Sequence, residues 1–407
     1  SMVGDGEMGR WGDGEMGRWG DGEMGRWGDG EMGRRGDGEM GRWGDGEMGR
    51  RGDGGREILP EMYCAGCGAK VGSKTLEKVL KRLSVKENPN IIIGLDNPDD
   101  AAVLQVPPGQ LLVQTVDYFR SLIDDPYIFG QIATNHCLSD IFAMGATPQS
   151  ALAIATIPYS TEDKIEETLY QLMSGANKIL QESQSNLIGG HTSEGAQLAF
   201  GLSCNGLVAP NQILRKSGMK PGQMLILTKA IGKGTLFAAD MRYQAKGRWI
   251  EQAIASMLLS NQTAAQVFLE YGATACTDIT GFGLLGHLVE MVKASQVGVE
   301  LYLDAIPILP GARETIQRGI TSSLHSQNLR QAIYLNNATQ VSDWVKYQLL
   351  FDPQTSGGLL AAIPSENVDE CIKKLKMFGH QQSCLIGKVI LAPEVMPIIL
   401  RNGEFRI

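Results

Sequence analysis

Four aspartates stand where apolar runs give way to turns or helices: Asp100, Asp117, Asp140 and Asp278. In residues 111–145, LLVQTVDYFRSLIDDPYIFGQIATNHCLSDIFAMG, Asp117 ends an apolar strand. Asp140 sits among Ile128, Ile132, Ile141, Phe142 and Met144, a pattern that predicts a largely buried helix after the start signal Asp124, Asp125, Pro126. An unpaired buried carboxylate is costly or becomes protonated, and no Lys or Arg lies between Arg120 and Lys164. A bound cation answers that need. Residues 91–106, IIIGLDNPDDAAVLQV, repeat the arrangement around Asp99 and Asp100. Residues 276–288, CTDITGFGLLGHL, set Asp278 at a strand end before a glycine turn and a helix. Singly, each acid reads as a turn or cap residue. Together they suit a hard cation such as Mg²⁺, which takes carboxylate oxygens and keeps other positions for water or phosphate.

A second constellation is CAGCGAK, residues 64–70, a loop of small residues before a helical pattern that starts near Ser73. Lys70 follows Cys67 closely enough for its ammonium to reach the sulfur and favour the thiolate. Three readings stand side by side: half a zinc site made by Cys64 and Cys67, a redox pair, or a nucleophile and chalcogen handler with an attendant cation. No second CxxC or close His pair completes the zinc site, and no thioredoxin-like βαβ unit surrounds the pair. Residues 187–195, LIGGHTSEG, read as a strand end opening into a glycine turn, where Gly190 gives backbone freedom and His191 and Thr192 can donate to phosphate oxygens. Residues 230–236, AIGKGTL, lack the Walker spacing, so their glycines are assigned to a turn and to close helix–strand packing.

The elements that must position these residues alternate. Strands are predicted at 111–116, 151–157 and 197–208, with helices at 127–144 and from Thr161, the latter opened by a Ser160/Asp163 capping box. Turn-rich residues 209–223 lead to a second α/β half: a strand at 224–228, helices at 234–241, 249–271 and 283–295, a strand at 299–303, and a strand–helix–strand over 358–389. The expected organisation is an arm over 1–60, a first domain over 61–213 and a second over 214–407. Residues 4–51 are six tandem copies of GDGEMGRW, with Arg35 and Arg51 replacing Trp, and they contain no Val, Ile or Leu. Such an arm cannot bury enough apolar surface to offset chain entropy and is expected to be disordered. Its six Asp and six Glu against eight Arg leave a net −4, the wrong sign for a phosphate-seeking arm. The whole chain carries −8, which disfavours nucleic acid. Seven cysteines, an odd number in 407 residues, argue for a reducing compartment, and the lack of a long apolar run or signal pattern predicts a soluble cytoplasmic protein with no membrane partner.

The motifs CAGCGAK, DDAAV, TVDYF, ATNHCLSDIFAMGA, GGHT, DITGFG and DPQTSGGLL resemble those of the selenophosphate synthetases, or selenide, water dikinases, over residues 64–389. The resemblance implies a two-domain α/β (α+β) fold of the aminoimidazole ribonucleotide synthetase type, with an N-terminal domain forming a dimeric β-barrel-like core and a C-terminal α/β sandwich. It implies a homodimer that converts selenide, ATP and water to selenophosphate, AMP and orthophosphate with several Mg²⁺ ions, the selenide arriving free or from a selenium-delivery protein. In the family pattern Cys67 and Lys70 are catalytic, and Lys70 also contacts the nucleotide. Asn97, Pro98, Asp99, Asp117 and Asp140 contact ATP, as do Gly190, His191 and Thr192, the last three from the neighbouring subunit. Asp100, Asp140 and Asp278 bind metal. Ala69, where some members carry Cys, and the extra Cys64 depart from that pattern. Thiamine-phosphate kinases, hydrogenase-maturation proteins and purine enzymes share the acids but not CAGCGAK. A module that holds Mg·ATP without turnover is the non-enzymatic alternative.

Overall fold

The computed structural model describes residues 70–84, 87–95, 101–342, 344–393 and 396–403, all within the compact unit Cys64–Ile407. The expectations for the octapeptide arm, and those for Cys64, Cys67, Asn97, Pro98, Asp99 and Asp100, lie outside the described residues.

After helix α1 (Ser73–Arg82) and the short pair β1 (Ile91–Ile93) and β2 (Val103–Leu104), the chain builds β3 (Leu111–Arg120), α2 (Pro126–Ala143), β4 (Thr147–Pro158), α3 (Glu162–Glu182), β5 (Asn186–Gly195) and β6 (Ala199–Val208). The four long strands form one sheet in the order β3-β6-β4-β5, with β4 and β5 parallel and the other pairs antiparallel. Helix α2 begins where Asp125 accepts a hydrogen bond from Ile128 N at 2.9 Å and Pro126 takes the first helical position, whose amide would have no helical partner anyway. It is buried along nearly its whole length because α3 covers one side and β3 and β6 the other. Glycine permits that depth: a Cβ on Gly130 would lie 2.1 Å from Leu172 O, and one on Gly175 2.0 Å from Tyr127 O. The two helices therefore touch backbone to backbone, and the height of α2 above the sheet is fixed.

Strand alternation sends Thr115, Asp117 and Phe119 toward α2, while Leu112, Val116 and Tyr118 face the other way, with Val116 62% exposed. On that second face Gln114 bonds Asn205, and Tyr118 bonds Thr156.

The remaining residues form a six-stranded sheet in the order β12-β9-β11-β7-β10-β8, with β7 (Met224–Leu227), β8 (Ala275–Asp278), β9 (Gly298–Tyr302), β10 (Leu359–Ile363), β11 (Cys384–Ile390) and β12 (Ile398–Arg401). Among the described residues five helices of eight residues or more accompany it: α4 (Lys233–Asp240), α5 (Gly247–Leu258), α6 (Gln262–Glu270), α7 (Gly283–Ser295) and α8 (Val368–Met377). β7 and β10 are unbroken apolar runs and wholly buried, as central strands covered on both faces must be.

Several expectations are corrected. β3 continues through Asp117 to Arg120, so that acid sits inside a strand and not at its end. The GGHT residues are likewise in strand β5, held by pairing to β4, instead of opening into a turn. The helix expected over 249–271 is two helices. Asn261, between them, donates to Ser139 Oγ and Gly357 O at 2.9 Å each, and these long-range bonds turn the chain there. The Ser160/Asp163 capping box is absent: Thr161 is the N-cap and makes no side-chain cap bond. β12 and the short helical turns between residues 303 and 349 were not expected. Among the described residues no helix is long and apolar enough to cross a membrane.

Candidate active site

Two periodicities meet at the centre of the first sheet. On β3 the i, i+2 pair Thr115 and Asp117 faces α2, and on α2 the i, i+4 pair His136 and Asp140 faces back. The pairs interlock: Thr115 Oγ1 donates to Asp140 Oδ2 at 2.6 Å, and His136 Nε2 meets Asp117 Oδ2 at 2.6 Å. Burial works to raise the pKa of Asp117, but the His136 ring and the Tyr118 N–H outweigh it and hold the carboxyl below the usual carboxylate range.

His136 is fixed from its other side by the TSGG turn, residues 355–358. Ser356 adopts a left-handed φ of 46 and donates its N–H to His136 Nδ1 at 2.9 Å. Two further bonds hold Ser356, from its Oγ to Met257 O at 2.7 Å and from Lys229 Nζ to its carbonyl oxygen at 3.2 Å, and Lys229 Nζ also donates to Leu259 O at 2.6 Å. A Cβ on Gly357 would lie 1.9 Å from Ile279 O, so glycine is needed there. An N–H donated to Nδ1 assigns the proton to Nε2, pointing at Asp117. Two influences compete on the ring. Burial opposes its charging, while Asp117, then Asp278 and Asp140, raise its pKa above the ordinary histidine value. While the Ser356 bond persists the ring is neutral, and a second proton would break that bond.

Asp278, at the end of β8, is buried; its Oδ2 has no hydrogen-bond partner, and Cα pairing sets it opposite Leu359. Burial first and the charge of Asp140 second push its pKa up, only partly offset by His136 and the Ser139 hydroxyl. Asp117 thus bonds His136, and Asp140 and Asp278 lie near enough for their charge to act on the ring, although the three acids come from two sheets and a helix. Asp140 itself is half-buried, not fully buried. An orphaned carboxylate oxygen beside a second acid fits a divalent cation. Among the described residues no group of three His, Cys, Asp or Glu side chains converges as a complete cage. Mg²⁺, however, needs only one or two protein carboxylates when phosphates and water fill the rest.

Asp117 and His136 open onto a cleft of about 660 Å³, whose walls also include Arg120, Lys233, Thr280, Gln354 and Thr355. Gly190, His191 and Thr192 do not line it. They line a separate cavity of about 640 Å³ with Leu152, Ile154 and Asn205. Gly190 has φ 154 there, and a Cβ would lie 2.1 Å from Ala153 O. The backbone of Lys70 bridges Ser193 on the same strand, so the end of the small-residue loop adjoins the GGHT strand. The structure therefore gathers the sequence's candidates in two groups, three acids around His136 and Lys70 beside Gly190–Thr192.

His136 and Lys233 line the cleft but were not singled out from the sequence. The histidine stood inside ATNHCLSDIFAMGA, where an apolar helix makes it look like core. Its i, i+4 spacing from Asp140 was the available signal.

Comparison with known proteins fits this architecture. Residues 98–208 match the family model described as AIR synthase related protein, N-terminal domain, and residues 220–396 match its C-terminal counterpart. Among solved structures, hydrogenase maturation protein HypE aligns at a TM-score of 0.61 and 16% identity, covering 80% of this chain and 93% of that one. Thiamine-monophosphate kinase from Stenotrophomonas maltophilia K279a aligns at 0.58 and 19%, covering 80% and 94%. Fold and paired domain matches define an AIR synthase-related protein. Curated relatives narrow the class: selenide, water dikinase of Clostridioides difficile (strain 630) is 39% identical over 82% of this chain and 95% of its own length, and that of Carboxydothermus hydrogenoformans is 40% identical over 78% and 91%. The chain belongs to the selenide, water dikinase family.

Proposed function

We propose that this chain makes selenophosphate from selenide, ATP and water, releasing AMP and orthophosphate. The observation that carries this reading is the buried, unpartnered Oδ2 of Asp278 beside Asp140, with Asp117 held at the cleft wall by His136. A triphosphate would be repelled by such acids, since like unit charges 4 Å apart cost ~4 kcal/mol at an effective dielectric near 20. Mg²⁺ held by Asp278 and Asp140, with Asp100 from the family pattern, would reverse that sign and activate the water that splits the remaining ADP. Asp117 orients the nucleotide through its carboxylate, and His136 keeps that carboxylate ionised and aimed. Phosphoryl transfer to a soft anion such as HSe⁻ then needs positioning more than a general base. Cys67 handles the selenide, Lys70 offsets charge on the loop, and Asn97, Pro98 and Asp99 contact the nucleotide.

Cys67→Ser is expected to lose selenide-dependent AMP formation while ATP binding persists, measured by anaerobic chromatography of nucleotides beside equilibrium dialysis. Unchanged turnover would remove Cys67 from the reaction.

The functional unit is a homodimer in which Gly190, His191 and Thr192 serve the nucleotide of the neighbouring subunit. The sheet face that bears Leu112, Val116 and Tyr118 leaves these large side chains exposed among the described residues and supports this pairing. Val116→Asp is expected to convert a dimer to a monomer in sedimentation velocity. A monomeric parent chain, or a variant that stays dimeric, would rule out this face.

A further inference from the structure

The wall of the same cleft bears a lysine that the reaction above does not use. Lys233 follows Gly232, whose φ of 117 turns the chain into α4. Its side chain is 1% exposed and forms part of the cleft wall, and its Nζ has no hydrogen-bond partner. The backbone amides around it are already engaged: Gly232 N and Lys233 N donate to Gln354 Oε1 at 3.2 Å each, and Gly234 N donates to Asp352 Oδ2 at 2.9 Å. What remains for a ligand is the side-chain amine and not the helix terminus. Burial lowers its pKa to about 7, against the pull of Asp352, so an arriving anion would fix it in the charged form. Arg120 and Arg242, with the hydroxyls of Thr321 and Ser322, line the same cleft. A buried amine without a partner costs folding energy, and such a group at a cleft wall is where a ligand belongs.

We propose that Lys233 anchors a subsite for a phosphate-sized oxyanion, where the orthophosphate or selenophosphate leaving the acids around His136 is received. The proposal rests on reading this cleft as the place of phosphoryl transfer. Its chemistry is that of a phosphate oxygen accepting from an ammonium in a largely water-free wall, assisted by hydroxyl donors. Reception there would separate product from the acids, whose charge favours its departure.

The test is a titration of the unmodified full chain with inorganic phosphate, and separately with thiophosphate as a stable stand-in for selenophosphate, followed by phosphorus-NMR line broadening. Saturable binding is expected. Lys233→Met should weaken it by roughly ten-fold or more, the loss of one charge-assisted hydrogen bond, with Mg·ATP affinity unchanged. Lys233→Gln, which keeps a donor without the charge, should fall between the two. The arm that binds more tightly identifies the product received. No saturable binding by the unmodified chain, equal binding by both variants, or equal loss of Mg·ATP affinity would each overturn the proposal. AMP formation by the unmodified chain, assayed in parallel, separates the cases: turnover without phosphate binding refutes the subsite alone, and phosphate binding without turnover refutes the reaction assigned to the cleft.

Discussion

Asp278→Asn is expected to abolish selenide-dependent ATP turnover, by at least ~10³-fold, while leaving the metal-free protein as stable as the parent or more so. The two halves of that expectation have one cause. An acid whose pKa is raised by burial keeps its proton in the folded chain over a pH range where the unfolded chain has lost it, so stability falls as pH rises through that range. Asparagine keeps the shape and removes the titration. It also removes the buried carboxylate oxygen that has no partner in the fold, and with it the oxygen proposed to hold Mg²⁺ beside the reacting phosphates, where charge develops in the transition state. Melting curves with and without magnesium and ATP separate the effects. The parent should gain stability from the ligands by mass action, and the variant should gain little. A variant that melts lower without metal and still turns over would make Asp278 an ordinary core residue.

The second large effect is expected at His136, a positioning residue. His136→Leu fills the same space without either ring nitrogen. It strands the Ser356 N–H, which sits in a buried turn, at a cost of about 1–3 kcal/mol. It also releases Asp117, which is partly open to solvent, so the stability cost on that side is smaller. Without the ring, burial acts on Asp117 unopposed except for the Tyr118 N–H, and its pKa rises. A depressed carboxylate pKa contributes stability above the unfolded value that is lost as pH falls through the folded one. Losing the depression moves the acid limb of the activity profile to higher pH. A fall in kcat/KM of roughly 10–100-fold is expected, the usual scale for a residue that orients a ligand from behind. An activity profile with an unmoved acid limb would show that His136 is only part of the core.

Much of this was legible in the sequence because the physics is local. Asp125 and Pro126 announce the start of α2, and the apolar positions of α2 and α3 announce their burial. What stayed hidden depends on contacts far along the chain. The roles of Asn261 and Ser356 are set by bonds to Ser139 and His136, more than a hundred residues away. Lys233 looked like turn furniture, because only the return of Asp352 and Gln354 to the start of α4 buries its amine and occupies the amides around it. β5 was half missed because the adjacent Gly189 and Gly190 weaken its local strand signal, whereas pairing with β4 decides the outcome. Short turns between 303 and 349 carry no period long enough to read.

The acids near His136, of which Asp278 is buried, are proposed to serve a selenide-dependent split of ATP into three phosphorus-bearing products. Phosphorus NMR of the chain with ATP, Mg²⁺ and selenide under anaerobic conditions tests it directly. Loss of the triphosphate signals is expected, with growth of selenophosphate, orthophosphate and AMP in equal amounts. Conversion to ADP and orthophosphate alone, with no phosphorus–selenium resonance, would contradict it.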